Sequence, residues 1–113
     1  LILWLIFRGG VYNKKAITLE YVSLLSTSTG KPGNVYHTRN VFSNFKSWTE
    51  AKDQYKELQV PVTLVYGSQD WSAAEERRES RDLLNPEKYI ELSNTGHFSF
   101  LDAPEKAADI LKS

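Results

Sequence analysis

Cysteine and methionine are absent from the 113-residue sequence, and histidine occurs only twice. Without cysteine the chain has neither a disulfide framework nor thiolate metal ligands, and two histidines are too few to favour a zinc site built by the protein alone. We therefore assign no metal-binding residue. The lack of cysteine permits a reducing compartment, and the cytoplasm is the favoured location. Because methionine is absent, we expect the sequence not to begin at a translation start.

An excess of charge of one sign is also missing, because 14 Lys and Arg side chains balance 14 Asp and Glu side chains. Such a chain generates no long-range field that would attract nucleic acid or an acidic membrane surface. The apolar run at residues 1–7, LILWLIF, is far shorter than the roughly 20 residues that span a bilayer. We interpret it as a buried helix, the alternative being the core of a clipped signal peptide. No nucleic-acid partner and no membrane span are expected.

The first half of the sequence is predicted to be helical. Four segments have helical spacing or strong helix signals: residues 1–8, a segment that begins after the capping residue Thr18, residues 34–47 and residues 49–58. Gly9 and Gly10 end the first segment, and the turn formers of residues 26–33, STSTGKPG, end the second. At 41% hydrophobic residues, the whole chain has material for one small globular domain at most.

The second half changes character at Pro61. The residue before a proline favours extended geometry, so the apolar residues 62–66 are predicted to form a buried strand, and residues 88–92 a second one. A helix is expected after each strand, because the S-x-x-E pattern at Ser72 and the D-x-P-E pattern at Asp102 resemble capping boxes. The order strand, helix, strand, helix predicts a right-handed parallel crossover unit.

Asp70 and His97 each follow the carboxyl end of a predicted strand, where open α/β sheets place their functional sites. Neighbouring parallel strands would bring the two loops side by side, so that the carboxylate accepts the proton of one imidazole nitrogen and leaves the other nitrogen as a base. Alone, however, an aspartate in a G-S-Q-D turn is usually a turn former, and a histidine after glycine is usually a surface loop residue.

The wider motifs carry more information than the two residues alone. Residues 62–70, VTLVYGSQD, run from an apolar strand into glycine, two variable residues and Asp70. Residues 94–98, NTGHF, carry His97 and are followed by D-A-P-E at residues 102–105. In this order and at this spacing, the two segments resemble the acid and histidine segments of the α/β-hydrolase superfamily. The resemblance is strong over residues 60–111, whereas the earlier residues match only in type.

The resemblance implies an α/β fold: residues 60–113 would be the carboxyl-terminal part of an α/β-hydrolase core, with about two parallel strands and flanking helices. Residues 1–59 would be a helical cap or lid. It further implies Asp70 and His97 as the catalytic acid and histidine, a small and apolar substrate, and no cofactor. Four aromatic residues are candidates for substrate contacts: Trp71, Phe98, Phe42 and Trp48. For Trp71, shielding the acid from water is the preferred role, and for Phe42 and Trp48 a place in the core is the preferred alternative.

The nucleophile of that family is missing. It occupies a G-x-S-x-G turn ahead of the acid and histidine, and no two of the six glycines are four residues apart. The sequence therefore predicts a chain that is inactive alone and that needs an amino-terminal half, or a second chain, to complete a hydrolase for an ester, thioester, epoxide or similar substrate. The alternative is a truncated, non-catalytic relative that serves as a binding or interaction module.

Overall fold

A computed structural model of the chain describes residues 2–113, and of Ile2 it describes the backbone alone. The described part is a mixed helix-and-strand structure with seven α-helices, two 3-10 helices and two strands. The α-helices are α1 (Ile2–Gly10), α2 (Leu19–Thr29), α3 (Asn34–Ser43), α4 (Phe45–Ala51), α5 (Ala74–Leu84), α6 (Ser99–Asp102) and α7 (Pro104–Lys112). The strands are β1 (Thr63–Gly67) and β2 (Lys88–Leu92), and the 3-10 helices are Lys14–Ala16 and Lys52–Glu57.

The two strands pair in parallel, in a register that sets Thr63 opposite Lys88 and Gly67 opposite Leu92. The prediction of two parallel strands with flanking helices is therefore confirmed. The second strand has the predicted bounds, whereas the first begins and ends one residue later than predicted. Val62 lies at the entrance of the sheet, where its carbonyl oxygen accepts a hydrogen bond from the Lys88 amide at 3.3 Å.

Helix α1 continues to Gly10, two residues beyond the predicted end, and Leu1, the first residue of that prediction, lies outside the described residues. The prediction of a buried helix is wrong, because Leu5 is 54% exposed and Ile6 is 45% exposed. Only one side of the helix packs against the rest of the chain, through Phe7, whose ring contacts the rings of Tyr21 and Phe98.

Helix α2 begins as predicted, with the Thr18 hydroxyl oxygen accepting from the Tyr21 amide at 3.1 Å. It extends to Thr29, into residues that the sequence assigned to a turn. The single helix predicted over residues 34–47 is wrong, because Asn44 separates α3 from α4. The Asn44 side-chain amide donates to the Asn40 carbonyl at 2.8 Å, and such local side-chain bonds compete with regular helix geometry.

The helix predicted over residues 49–58 is likewise corrected: α4 ends at Ala51, and Lys52–Glu57 continues as a 3-10 helix. The Lys52 ammonium group pairs with the Glu79 carboxylate of α5, and this hydrogen bond is the main reason that the pKa of Lys52 is raised. The ion pair therefore connects the helical first half of the chain with the strand-containing second half.

Neither predicted capping box forms. Helix α5 begins at Ala74, and the Glu76 carboxylate accepts from the Ala73 amide at 3.3 Å, while Ser72 bonds to Asp70 instead. Helix α7 begins at Pro104, while the Asp102 carboxylate accepts hydrogen bonds from the backbone amides of Tyr12, Asn13 and Gly96. In both places the side chain that the local pattern assigns to a helix cap forms hydrogen bonds elsewhere: Ser72 with Asp70, and Asp102 with backbone amides.

The buried core is small and lies between the segment after α1 and the end of β2. Among the described residues, the buried side chains of this core are Val11, Ile17, Leu92 and Thr95. The accessible surface of 8650 Å² exceeds the roughly 6,300 Å² typical of a compact monomer of this mass. The radius of gyration, 16.0 Å, likewise exceeds the roughly 13 Å typical of this length. Much of the apolar surface therefore remains open to solvent.

Candidate active site

The loops that follow β1 and β2 are joined to each other by backbone hydrogen bonds. We call residues 68–73 the acid loop and residues 93–98 the histidine loop. The Ser68 amide donates to the Leu92 carbonyl, and the Gln69 amide donates to the Thr95 carbonyl, both at 2.9 Å. The Asn94 amide donates to the Ser68 hydroxyl oxygen at 3.0 Å. Two of these bonds join the loops directly, and the third joins the acid loop to the end of β2, so the loops hold a common geometry at the carboxyl end of the sheet.

Two glycines allow the loops to approach so closely. A Cβ atom on Gly67 would overlap the carbonyl oxygens of Thr95 and Gly96. A Cβ atom on Gly96 would overlap the Gly10 carbonyl oxygen and lie 3.0 Å from the Tyr12 nitrogen. All of these neighbours are backbone atoms, which cannot turn aside as a side chain can. Both positions therefore require glycine for a reason of space.

The Asp70 carboxylate contacts the His97 imidazole at the meeting point of the loops. His97 Nδ1 lies 3.1 Å from Oδ1 and 3.2 Å from Oδ2 of Asp70. The Asp70 side chain is only 4% exposed, whereas that of His97 is 41% exposed. The contact that the sequence predicted between these two side chains is present, with the carboxylate covered and the imidazole open to solvent.

Ser72 donates two further hydrogen bonds to the Asp70 carboxylate. Its backbone amide donates to Oδ1 of Asp70 at 2.7 Å, and its hydroxyl donates to the same oxygen at 2.6 Å. Burial of the Asp70 carboxylate raises its pKa. The hydrogen bonds from the Ser72 hydroxyl, the Ser72 amide and His97 together lower the pKa by more than burial raises it, so the pKa of Asp70 is below its usual value. Asp70 is therefore an anion at neutral pH.

The ring of His97 has one occupied nitrogen and one available nitrogen. Nδ1 faces Asp70, and Nε2 makes no hydrogen bond to any of the described residues. Trp71 stacks on the imidazole, with ring centroids 4.6 Å apart and ring planes at 27°. A carboxylate contacts one nitrogen of the imidazole and an indole covers one face, and the side chain is 41% exposed.

Phe98 connects this pair to the first helix. Its ring makes edge contacts with Trp71 at 5.5 Å and with His97 at 5.2 Å, and it stacks on Phe7 of α1 at 4.7 Å. A Cβ atom on Gly10 would overlap the Phe98 ring. The end of α1 thus packs directly beside the Asp70 and His97 pair.

Comparisons with protein-family models, with curated proteins and with solved structures found no match for this chain. Within residues 2–113, no helix has the length and apolar character required to cross a membrane. No group of three or more His, Cys, Asp or Glu side chains in that range could hold a metal ion. The chemistry of the site is therefore inferred from its geometry.

The structure brings four of the six predicted site residues together: Asp70, His97, Trp71 and Phe98. Trp71, for which shielding of the acid is the preferred role, stacks on the imidazole and is itself 53% exposed. Phe42 and Trp48 form a different cluster, in which both contact each other and Trp48 also contacts Phe45. In the described part of the chain, no ring contact joins that cluster to His97.

The alternative core assignment of Phe42 and Trp48 is wrong, because they are 68% and 47% exposed. Their helices α3 and α4 pack mainly against each other and against the 3-10 helix Lys52–Glu57. No deeper layer therefore covers these two aromatic side chains in the part of the chain that the structure describes.

Sequence reasoning missed three residues of the site. Ser72 was assigned to a helix cap, although the D-x-S spacing from Asp70 is also a signal for an Asx turn. Arg77 supports that turn, since its guanidinium group donates to the Ser72 carbonyl oxygen. Asp102, also assigned to a cap, binds the backbone on the amino-terminal side of His97 through the Gly96 amide at 2.8 Å. No local signal identifies the distant partners of Asp102.

Proposed function

We propose that this chain is the carboxyl-terminal part of an α/β-hydrolase and supplies the catalytic acid and histidine for the hydrolysis of a small, apolar substrate. The observation that carries the proposal is the contact between Asp70 and His97 Nδ1 at 3.1 Å, made by loops at the carboxyl ends of neighbouring parallel strands. The resemblance of the surrounding sequence motifs to that superfamily supports the same assignment.

Asp70 and His97 have complementary roles in this proposal. The Asp70 carboxylate accepts the Nδ1 proton, which selects the tautomer with a lone pair on Nε2. His97 then takes a proton from a nucleophile or a water molecule through Nε2 and becomes an imidazolium. Because hydrogen bonds lower the pKa of Asp70, the carboxylate stays charged and stabilises that imidazolium.

The nucleophile and the oxyanion hole come from other residues, either in a longer polypeptide or in a second chain. A serine nucleophile would direct the site to esters, thioesters or carbon–carbon bonds, and an aspartate nucleophile to epoxides or haloalkanes. In either case the acid and histidine have the same part. The chain alone is inactive, since G-x-S-x-G does not occur in it.

An apolar substrate suits the surroundings of His97. The rings of Trp71 and Phe98 contact the imidazole and provide an apolar wall beside it. Residues 1–59 act as the cap or lid in this proposal, and Phe42 and Trp48 contact the substrate when that region covers the site. Both rings are exposed, which leaves apolar surface free to contact such a substrate.

The test is an assay of the completed hydrolase, in which the chain is joined to the nucleophile-bearing polypeptide. His97→Ala and Asp70→Asn are each expected to lower kcat by about 10⁴-fold, because either change removes an oriented base. His37→Ala is the matched control, since His37 is the other histidine and lies exposed on α3. If His97→Ala retained near-normal turnover, the proposal would fail.

A second candidate function is a non-catalytic binding module, and it is favoured by the large exposed apolar surface of the chain. Sedimentation and native mass measurements on the chain alone separate the two functions. A stable and well-dispersed monomer would favour the module. Aggregation, or a chain that folds only when the nucleophile-bearing polypeptide is added, would favour the hydrolase.

A further inference from the structure

The Asp102 carboxylate is bound by three backbone amides, two from the distant segment after α1 and one from the histidine loop. Oδ2 accepts from the Tyr12 amide and from the Gly96 amide, and Oδ1 accepts from the Asn13 amide, each at 2.8 Å. Tyr12 and Asp102 are 90 residues apart in the chain. Hydrogen bonds to an ionised acceptor are among the strongest in proteins, so this carboxylate is a firm connection between the segments.

His97 lies between two such connections. On its amino-terminal side, the Gly96 amide donates to Asp102. On its carboxyl-terminal side, the Phe98 amide donates to the Gly10 carbonyl oxygen at 3.0 Å. Both neighbours of His97 are thereby fixed to residues 10–13, directly or through Asp102. The position of the His97 backbone, and with it that of the imidazole, then depends on the position of that turn.

Asp102 is the last residue of α6, and its carboxylate caps neither α6 nor α7. Helix α7 begins at Pro104, which has no backbone N–H, and no amide of α7 donates to Asp102 among the described residues. All three amides bound to this side chain lie outside α7. A role as a helix cap therefore does not explain the residue.

We propose that Asp102 is a positioning residue that fastens the turn at residues 10–13 to the histidine loop and so holds His97 against Asp70. Because it acts through His97, the catalytic importance of this role rests on the proposed function. The turn at residues 10–13 lies within the lid-like region, residues 1–59, so the same carboxylate couples the position of that region to the orientation of the imidazole.

The first test uses the unmodified chain, labelled with ¹⁵N and ¹³C, in solution. We expect couplings across the hydrogen bonds from the amide nitrogens of Tyr12, Asn13 and Gly96 to the carboxyl carbon of Asp102. We also expect a downfield proton signal from His97 Nδ1. If these couplings are absent while the chain is folded, either alone or joined to the nucleophile-bearing polypeptide, the proposed connection is overturned.

The second test compares Asp102→Asn with the unmodified chain. An amide group cannot accept at both of its ends, so the variant loses one or two of the three bonds. Exchange of the Tyr12, Asn13 or Gly96 amide with solvent should accelerate roughly tenfold or more relative to the amides of β2, and the His97 Nδ1 proton signal should shift or broaden. Asp109→Asn, an exposed position on α7, is the matched control and should change neither signal.

The outcomes distinguish this role from the proposed function. If Asp102→Asn accelerates exchange at the amides that it releases and leaves the His97 signal unchanged, Asp102 is merely structural and the positioning role is overturned. If the variant fails to fold, the couplings in the unmodified chain decide the result. If the His97 signal depends on Asp102 while the completed enzyme does not need His97, the positioning role stands and the hydrolase proposal fails.

Discussion

The backbone of Gly96 packs directly on the carbonyl group of Gly10, so closely that a Cβ atom at position 96 would overlap the Gly10 oxygen. The residues come from opposite ends of the chain, and their contact brings the turn after α1 beside the histidine loop. The neighbouring hydrogen bond from the Phe98 amide to the same oxygen, at 3.0 Å, supports this arrangement.

Gly96→Ala is expected to lower the free energy of unfolding by about 1–3 kcal/mol, because an added methyl group must displace backbone atoms. Urea unfolding followed by circular dichroism measures the change. Gly30→Ala is the matched control: its Cβ atom would meet its nearest neighbours at the ordinary distance of 3.6 Å. Equal stability of the two variants would contradict the close contact.

Asp70→Asn is expected to destabilise the chain by about 1–3 kcal/mol at neutral pH, since a buried acceptor of three hydrogen bonds is altered. The pKa of Asp70 is lowered in the folded chain, so the unfolded chain takes up the proton first on acidification. The stabilisation is therefore fully present above the ordinary value of 3.8 and is lost as pH falls through the lower folded-state pKa.

The measurement is a series of urea unfolding curves of the unmodified chain and Asp70→Asn, taken from neutral to acidic pH. The difference in stability between the two proteins should decrease as the pH falls below about 4. A difference that stays constant, or that grows with acidification, would contradict the lowered pKa.

Ser72→Ala is expected to raise the pKa of Asp70, because the Ser72 hydroxyl bond to Oδ1 is one of the contacts that lowers it. The variant should also lose about 1 kcal/mol of stability. The ¹³C shift of the Asp70 carboxyl carbon reports the titration directly. Ser93→Ala, in the exposed part of the histidine loop, serves as the control and should leave the titration unchanged.

Phe42→Ala is expected to change the free energy of unfolding by no more than about 0.5 kcal/mol, because the side chain is 68% exposed. Leu92→Ala, at a position that is 7% exposed, should cost about 2–5 kcal/mol through the cavity it leaves. Thermal and urea unfolding of both variants give the comparison. A large loss for Phe42→Ala would return this residue to the core and remove it from the candidate substrate contacts.

Local signals in the sequence identified several elements correctly. The bounds of β2 and the cap at Thr18 agree with the structure. Each of these depends on the properties of a few adjacent residues. The contact of Asp70 with His97 was also predictable, because parallel strands carry the loops at their carboxyl ends to the same edge of a sheet.

By itself, then, the sequence determined the two parallel strands, the helical character of the first half, and the pairing of Asp70 with His97 in the loops after the strands. Only the tertiary structure decided that Ser72 and Asp102 leave their expected caps, that one side of α1 stays open to solvent, and that Phe42 and Trp48 form a separate exposed cluster. The physical reason is competition among partners. A carboxylate such as Asp102 binds the amides that the fold brings within about 3 Å, and amides 89 and 90 residues away leave no trace in the local pattern.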